Sequence, residues 1–284
     1  MTSVFDNGNQ SRSIKATAIQ LNATDDVVAN MAAADRLTRE AAATGADLVL
    51  LPEKFNVLGK SSDYFAAAEP LDGPLVTWAR SLAAEFKMDF VAGSFVERVE
   101  GRDKLANTSV HIGPDGEIKA VYRKIHMFDV EVDGVPYRES DHEDPGTEIV
   151  TTRLAAGATL GLTVCYDLRF PELYRILTVR GARILTVPAA FTYTTGAAHW
   201  EILLRARAIE NQAFVVAADQ FGYHDGDRRC YGNSMIVDPW GTILNRAGDD
   251  SEAVISADLD LDAQRQIRDK LPSLANRMPE SYSW

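Results

Sequence analysis

The feature that most constrains the fold is a recurring pair of textures: short apolar runs of strand length, alternating with helix-length segments that carry one apolar face. Residues 14–21 (IKATAIQL) alternate as a strand with one buried side does. An Ala-rich helix is expected over 27–44, with Asp25 and Asp26 available as caps and Gly45 as its stop. Residues 47–52 (DLVLLP) are nearly continuous in apolar character, the mark of a central strand covered on both faces. A helix near 75–87 and a strand at 90–96 continue the series. The texture then turns to strand–turn–strand, with strands at 105–112 and 117–123 joined by Gly113-Pro-Asp-Gly116.

Residues 128–148 are polar and rich in Gly, Pro and acids, and read as one long loop, a length that in compact domains usually serves function or is disordered. A second β–α–β unit follows, with strands at 160–165 and 183–187 around a helix at 172–180. A helix at 199–211, a strand at 213–218 and an antiparallel finish at 233–238, 242–245 and 254–258 complete the chain. Two apolar-faced sets of strands with a similar number of helices predict an α/β layered sandwich with mixed sheets, helices covering the outer faces. There is no linker and no repeat; residues 1–13 read as a flexible tail and 14–284 as one domain.

Charge and composition narrow the function classes. Twenty-nine Lys and Arg against 41 Asp and Glu leave a net charge of −12, which argues against nucleic-acid and anionic-membrane partners. The longest apolar stretch, 184–191, is far shorter than the roughly 18–20 residues of a membrane span. The start lacks the apolar core of a secretory signal, and two cysteines cannot build a disulfide framework, so a cytoplasmic setting is expected.

Four residues stand where chemistry gathers. Cys165 is expected to end an apolar strand just before a turn and helix, which would expose a nucleophile above the sheet beside free backbone N–H groups. A cysteine in an apolar run is equally at home as an inert core residue. Glu53 follows the strand 47–52, at the kind of strand tip where ligands of α/β sheets bind, or is a solvated loop acid. Lys124 closes the strand 117–123 and Glu139 lies in the long loop; each alone reads as a surface charge. Together they fit a need: a thiol nucleophile requires a base to take its proton and a cation to stabilise the thiolate and the developing oxyanion.

The longer motifs carry a resemblance. LPEKFN at 51–56, YRKIHMFDVEV at 122–132, GLTVCYDLRFPELYR at 161–175, TGAAHWEILLRARAIENQ at 195–212 and YGNSMIVDPWG at 231–241 are similar, in order, to the nitrilase superfamily of carbon–nitrogen hydrolases, and within it to the Nit branch. The resemblance implies a four-layer α-β-β-α sandwich and a Glu–Lys–Cys triad. It implies Cys165 as nucleophile, Glu53 as general base, Lys124 as stabiliser of the tetrahedral intermediate and Glu139 as the second glutamate orienting the lysine. Tyr166 would offer a backbone N–H to the oxyanion, Arg169 would bind a substrate carboxylate, and Phe191 and Thr195 would line the pocket. An internal ion pair of Arg169 with Asp167 or Glu172 is the alternative.

The implied reaction is hydrolysis of a small carboxylate-bearing amide through a Cys thioester, releasing ammonia, with no cofactor and with homodimers or larger homo-oligomers as the family's expectation. An ω-amidase, an N-carbamoyl amide hydrolase, a nitrilase and a catalytically idle binding or scaffold member are the alternatives. Lys54, following the base, and Asn233, in YGNSM, depart from the branch's commoner residues; Lys54 reads as an added cation near the mouth. The five histidines lack metal-ligand spacing, so no metal site is predicted. His199 with Cys165 as a papain-like pair is disfavoured, and Cys230 reads as a bystander.

Overall fold

In the computed structural model, which describes residues 13–132, 134–224, 226 and 228–281, the chain begins β1 (Ser13–Gln20), α1 (Val27–Ala43), β2 (Leu48–Leu50), α2 (Ser61–Ala67), α3 (Pro74–Phe86) and β3 (Asp89–Val91). It continues through β4 (Phe95–Glu97), β5 (Ala106–Ile112), β6 (Ile118–Arg123), a hairpin of β7 (Asp129–Val132) and β8 (Val135–Arg138), and a 3-10 turn, Glu139–Asp141. The second half runs β9 (Thr151–Arg153), β10 (Thr159–Leu162), a 3-10 turn (Cys165–Arg169), α4 (Pro171–Val179), β11 (Ile184–Ala189), α5 (Tyr193–Asn211) and β12 (Phe214–Asp219). It ends with the short pair β13 (Phe221–Tyr223) and β14 (Arg229–Tyr231), then β15 (Met235–Val237), β16 (Ile243–Arg246), β17 (Ala253–Asp260) and α6 (Leu261–Lys270).

Two mixed sheets result. One has the order β17-β1-β2-β3-β5-β4, with β6 also on β5; the other is β16-β15-β12-β11-β10-β9. In the first, β1, β2 and β3 are parallel (Ala16 opposite Leu48, Leu48 opposite Asp89) and β17 is antiparallel to β1; in the second, β10, β11 and β12 are parallel.

The two-residue period of a strand sorts side chains into layers. Ile14, Ala16, Ala18, Leu48 and Leu50 join one core cluster with Leu160, Ile184, Leu185 and Val216 of the other sheet. Their neighbours Ile19 and Val49 face the opposite way, into a second cluster with Leu37 and Ala41 of α1 and Leu75, Ala79 and Leu82 of α3. Leu173 and Leu177 of α4 and Trp200, Leu204 and Ala208 of α5 cover the outer face of the second sheet. The spacing of three and four places each set on one helix side. The layers are therefore α-β-β-α, as expected. No helix among the described residues is long and apolar enough to cross a membrane.

Several expectations need correction. The stretch 128–148 is not one irregular loop: β7 and β8 pair in it (Val130 opposite Tyr137) before the 3-10 turn. Alternation in DVEV and VPYR is too short to stand out from the surrounding acids. The strand expected at 90–96 is broken into β3 and β4 at Gly93, whose φ of +46° no extended strand tolerates. The helix expected from 199 begins at Tyr193, and α2, α6, β9, β13 and β14 had no expectation at all. Of the expected tail, residues 1–12 lie outside the described residues, while Ser13 is already in β1, opposite Asp260.

Candidate active site

Glu53 is the third residue beyond β2, at the tip where the two sheets meet. Its backbone N–H donates to Ala189 O at the end of β11 (3.4 Å), and its carbonyl accepts from Gln220 Nε2 (3.0 Å). The side chain is buried, with Oε2 accepting from Ala190 N (2.9 Å) and Oε1 from Asn107 Nδ2 (2.8 Å) and Lys124 Nζ (3.0 Å). Gly93 makes room for this tip: a Cβ there would overlap the Pro52 carbonyl oxygen.

Lys124 directly follows β6, and its backbone N–H donates to Asn107 O (2.9 Å). Its ammonium is buried between Glu53 and Glu139, 2.9 and 2.7 Å from the two Glu139 oxygens. Burial works to neutralise it, but Glu139 and then Glu53 outweigh burial and hold it charged well above the ordinary lysine range. Glu139 shows the mirror case. Burial would raise it, yet Lys124, then Lys54, and the Phe128 N–H (2.8 Å) keep it below the usual carboxylate range.

Cys165 does not end its strand. β10 stops at Leu162, and Cys165 opens the 3-10 turn with φ +47°, a left-handed conformation costly for a residue with a Cβ. Asp167, wholly buried, fastens this turn: Oδ2 accepts from Val164 N (2.8 Å) and Tyr122 Oη (2.5 Å), and Oδ1 meets His126 Nδ1 (2.7 Å). Burial first, and the Glu53 charge second, push the Cys165 thiol well above its usual range, with Lys124 opposing them. Burial and the Glu53 charge both favour the protonated thiol. The Tyr166 N–H lies in the first turn, where a backbone donor has no acceptor inside the helix.

Glu53, Lys124, Glu139, Cys165, Tyr166, Arg169, Phe191 and Thr195, from both sheets and the hairpin region, all line one cavity of about 420 Å³. Among the described residues Arg169 pairs with no carboxylate: Asp167 is occupied as above, and the guanidinium instead lies 5.2 Å from the Phe191 ring centre and 3.3 Å from His199 Nδ1. Phe191 is held by its N–H to Asp219 Oδ1 (2.8 Å), and Thr195 Oγ1 bonds Thr192 Oγ1 (2.7 Å). In the aromatic wall Tyr137, Phe128, Tyr166 the ring centres are 5.1 Å apart at each step, the first pair tilted and the second edge-on.

Other residues of this site were not anticipated. Asn107 binds both Glu53 and Glu139 (3.4 Å), yet nothing in ANTSVHI distinguishes it from an ordinary strand residue. Lys54 is not a cation at the mouth. It is buried, 2.6 Å from Glu143 and 3.4 Å from Glu139. Cys230, expected to be a bystander, is buried in the cavity lining.

Residues 15–269 match the carbon–nitrogen hydrolase family. The human deaminated glutathione amidase is 42% identical over 268 residues, covering 93% of this chain and 82% of that protein. The crystal structure of the C. elegans NitFhit protein superposes with a TM-score of 0.87 at 35% identity, over 95% of this chain and 66% of that one, so the chain spans just under two thirds of that protein. Saccharomyces cerevisiae Nit3, described as a member of branch 10 of the nitrilase superfamily, gives a TM-score of 0.84 at 31% identity, over 93% and 96%. With the match running from β1 into α6 and the same two-sheet core in the solved relatives, the chain belongs to the carbon–nitrogen hydrolase family, as an amidase of the Nit branch of the nitrilase superfamily.

Proposed function

We propose that the chain hydrolyses a small carboxylate-bearing amide through a thioester on Cys165, and that its substrate is of the deaminated glutathione class. As the substrate carbonyl approaches, the thiol proton passes to Glu53 while Sγ bonds to the carbonyl carbon. The oxyanion is met by the Lys124 ammonium and the Tyr166 N–H. Glu53 returns the proton to the departing nitrogen, so ammonia, or the amine of an N-substituted amide, leaves and the thioester remains. Water then gives a proton to Glu53 and its hydroxide to the carbonyl; collapse restores the thiol and frees the acid. Glu139 holds Lys124, Arg169 takes the substrate carboxylate in a bidentate grip, and Phe191 and Thr195 bound the acyl group.

The observation that carries this reading is the ammonium of Lys124, buried within 3.0 Å of both Glu53 and Glu139 in the cavity that Cys165 lines. A neutral thiol beside a carboxylate suits a general-base route over a preformed thiolate. The substrate class is supported by the 42% identity to a deaminated glutathione amidase and by an Arg169 that pairs with no carboxylate among the described residues. The homo-oligomer stands on the expectation from the family.

The test is product release from deaminated glutathione, α-ketoglutaramate, succinamate, an N-carbamoyl amino acid and a simple nitrile, with Cys165→Ala as blank. Preference for deaminated glutathione is the expected result. Preference for the short ω-amides would move the substrate to the ω-amidase class, and turnover of only the carbamoyl compound or nitrile would overturn the amide assignment. Silence on every compound, with Cys165 no more reactive than a free thiol, would favour the idle scaffold.

A further inference from the structure

Lys54 turns the triad into a longer chain of charges. Its φ of +48° is left-handed, and its N–H donates to Ser94 Oγ (3.1 Å). That backbone sends the side chain into the same buried space as Glu53, where its ammonium lies 2.6 Å from Glu143 Oε1, 3.4 Å from Glu139 Oε1 and 4.4 Å from the centre of the Tyr64 ring. Glu53, Lys124, Glu139, Lys54 and Glu143 thus alternate in sign, and every one of these side chains is less than a tenth exposed.

Glu139 and Glu143 belong to one short segment, tied by Glu143 N–H to Glu139 O (3.0 Å), and Lys54 reaches both. Glu143 is wholly enclosed, and neither of its oxygens accepts a well-aligned hydrogen bond; besides Lys54 it meets His142 Nε2 at 3.5 Å, and that ring stacks on Tyr64. A carboxylate so placed is tolerable only because a cation faces it.

We propose that Lys54 is a positioning residue for the Cys165 chemistry: its ammonium, anchored by Glu143, clamps Glu139 and thereby aims Lys124 at the reacting carbonyl. Glu53 and Glu139 both press on the one ammonium of Lys124. The Lys54–Glu143 pair is neutral overall but turns its positive end toward Glu139, so Glu139 stays ionised without drawing Lys124 wholly to itself. Burial opposes charge on Lys54, and the carboxylates around it, Glu143 foremost, outweigh burial. The charged and titratable groups facing the ammonium are Glu143 and Glu139 on one segment, Tyr64 on α2 and the adjacent Glu53, with His142 behind Glu143.

The inference rests on the proposed amidase reading, and its test keeps the two apart. Lys54→Met removes the cation, and Lys54→Met/Glu143→Gln removes the pair without leaving a bare buried charge. For Lys54→Met the acid limb of the kcat profile is expected to move up by about one pH unit, with kcat down about tenfold and KM within about twofold. The double variant should regain thermal stability while its acid limb stays above that of the wild type. Peptide-level iodoacetamide labelling of Cys165 against pH, which needs no turnover, should shift upward in the same order. An acid limb and labelling profile identical to wild type in both variants, with activity tracking the folded fraction, would overturn the proposal. So would a raised KM at unchanged kcat, which would make Lys54 a substrate contact. A wild type silent on amides but with shifted labelling in Lys54→Met counts against the amidase reading and for the role of Lys54.

Discussion

Replacing Lys124 by Met removes one ammonium and leaves two buried carboxylates facing each other. Three contacts of 2.7–3.0 Å disappear, and the remaining donors to Glu53 and Glu139 are Asn107 Nδ2 and the Ala190 and Phe128 N–H groups, with Lys54 at 3.4 Å. Breaking a buried pair by deleting one partner costs about 3–5 kcal/mol. At roughly 2–4 °C per kcal/mol, Tm should fall by roughly 6–20 °C. Loss of an oxyanion donor should lower kcat by about 10²–10³ on top of that.

The pH dependence carries the sharper signature. In the wild type Glu139 is held below its unfolded value, so the stability it contributes is present above about pH 4.3 and is lost as pH falls toward the folded value. In Lys124→Met burial prevails and a carboxyl is raised above its unfolded value, so the folded state binds the extra proton and gains stability as pH falls. The deficit of the variant should therefore shrink between about pH 7 and about pH 5 when both proteins are melted calorimetrically. A deficit that stays constant or widens, or kcat within about tenfold of wild type in an assay of product release, would refute the reasoning.

Two further outcomes follow from particular contacts. Arg169→Ala should raise KM for carboxylate-bearing amides with little change in kcat, in steady-state assays comparing an acid with its neutral ester; an unchanged KM would remove Arg169 from the site. Gly93→Ala should cost more than about 2 kcal/mol in denaturant melts, because the residue is left-handed and a Cβ would overlap the Pro52 carbonyl beside Glu53.

Helices long enough to display a period were legible in the sequence, α1 with its Asp26 cap (Ala29 N to Oδ1, 3.0 Å) and α3, and so were parallel core strands set in continuous apolar runs, such as β2. Among what escaped were the helices α2 and α6 and strands of three or four residues such as β7 and β8, in which a period of two cannot rise above chance. The cavity-lining residues Glu53, Lys124, Glu139 and Cys165 stood out through their motifs, and only Glu53 and Lys124 also through a place just beyond a strand. Asn107 and Glu143 were not, since their part in the site depends on which strand lies beside which, a fact of topology with no local signature. Lys54 was visible as a departure from the family, but its place inside the protein follows from a left-handed φ that no residue preference announces.

The most direct test of the central claim is acid quench of the enzyme during turnover, followed by peptide mass spectrometry. The account predicts an acyl group bound as a thioester on the peptide containing Cys165, absent from the peptide containing Cys230 and lost in Cys165→Ala along with turnover. Sustained turnover by Cys165→Ala, or an acyl group found on any other side chain, would contradict it.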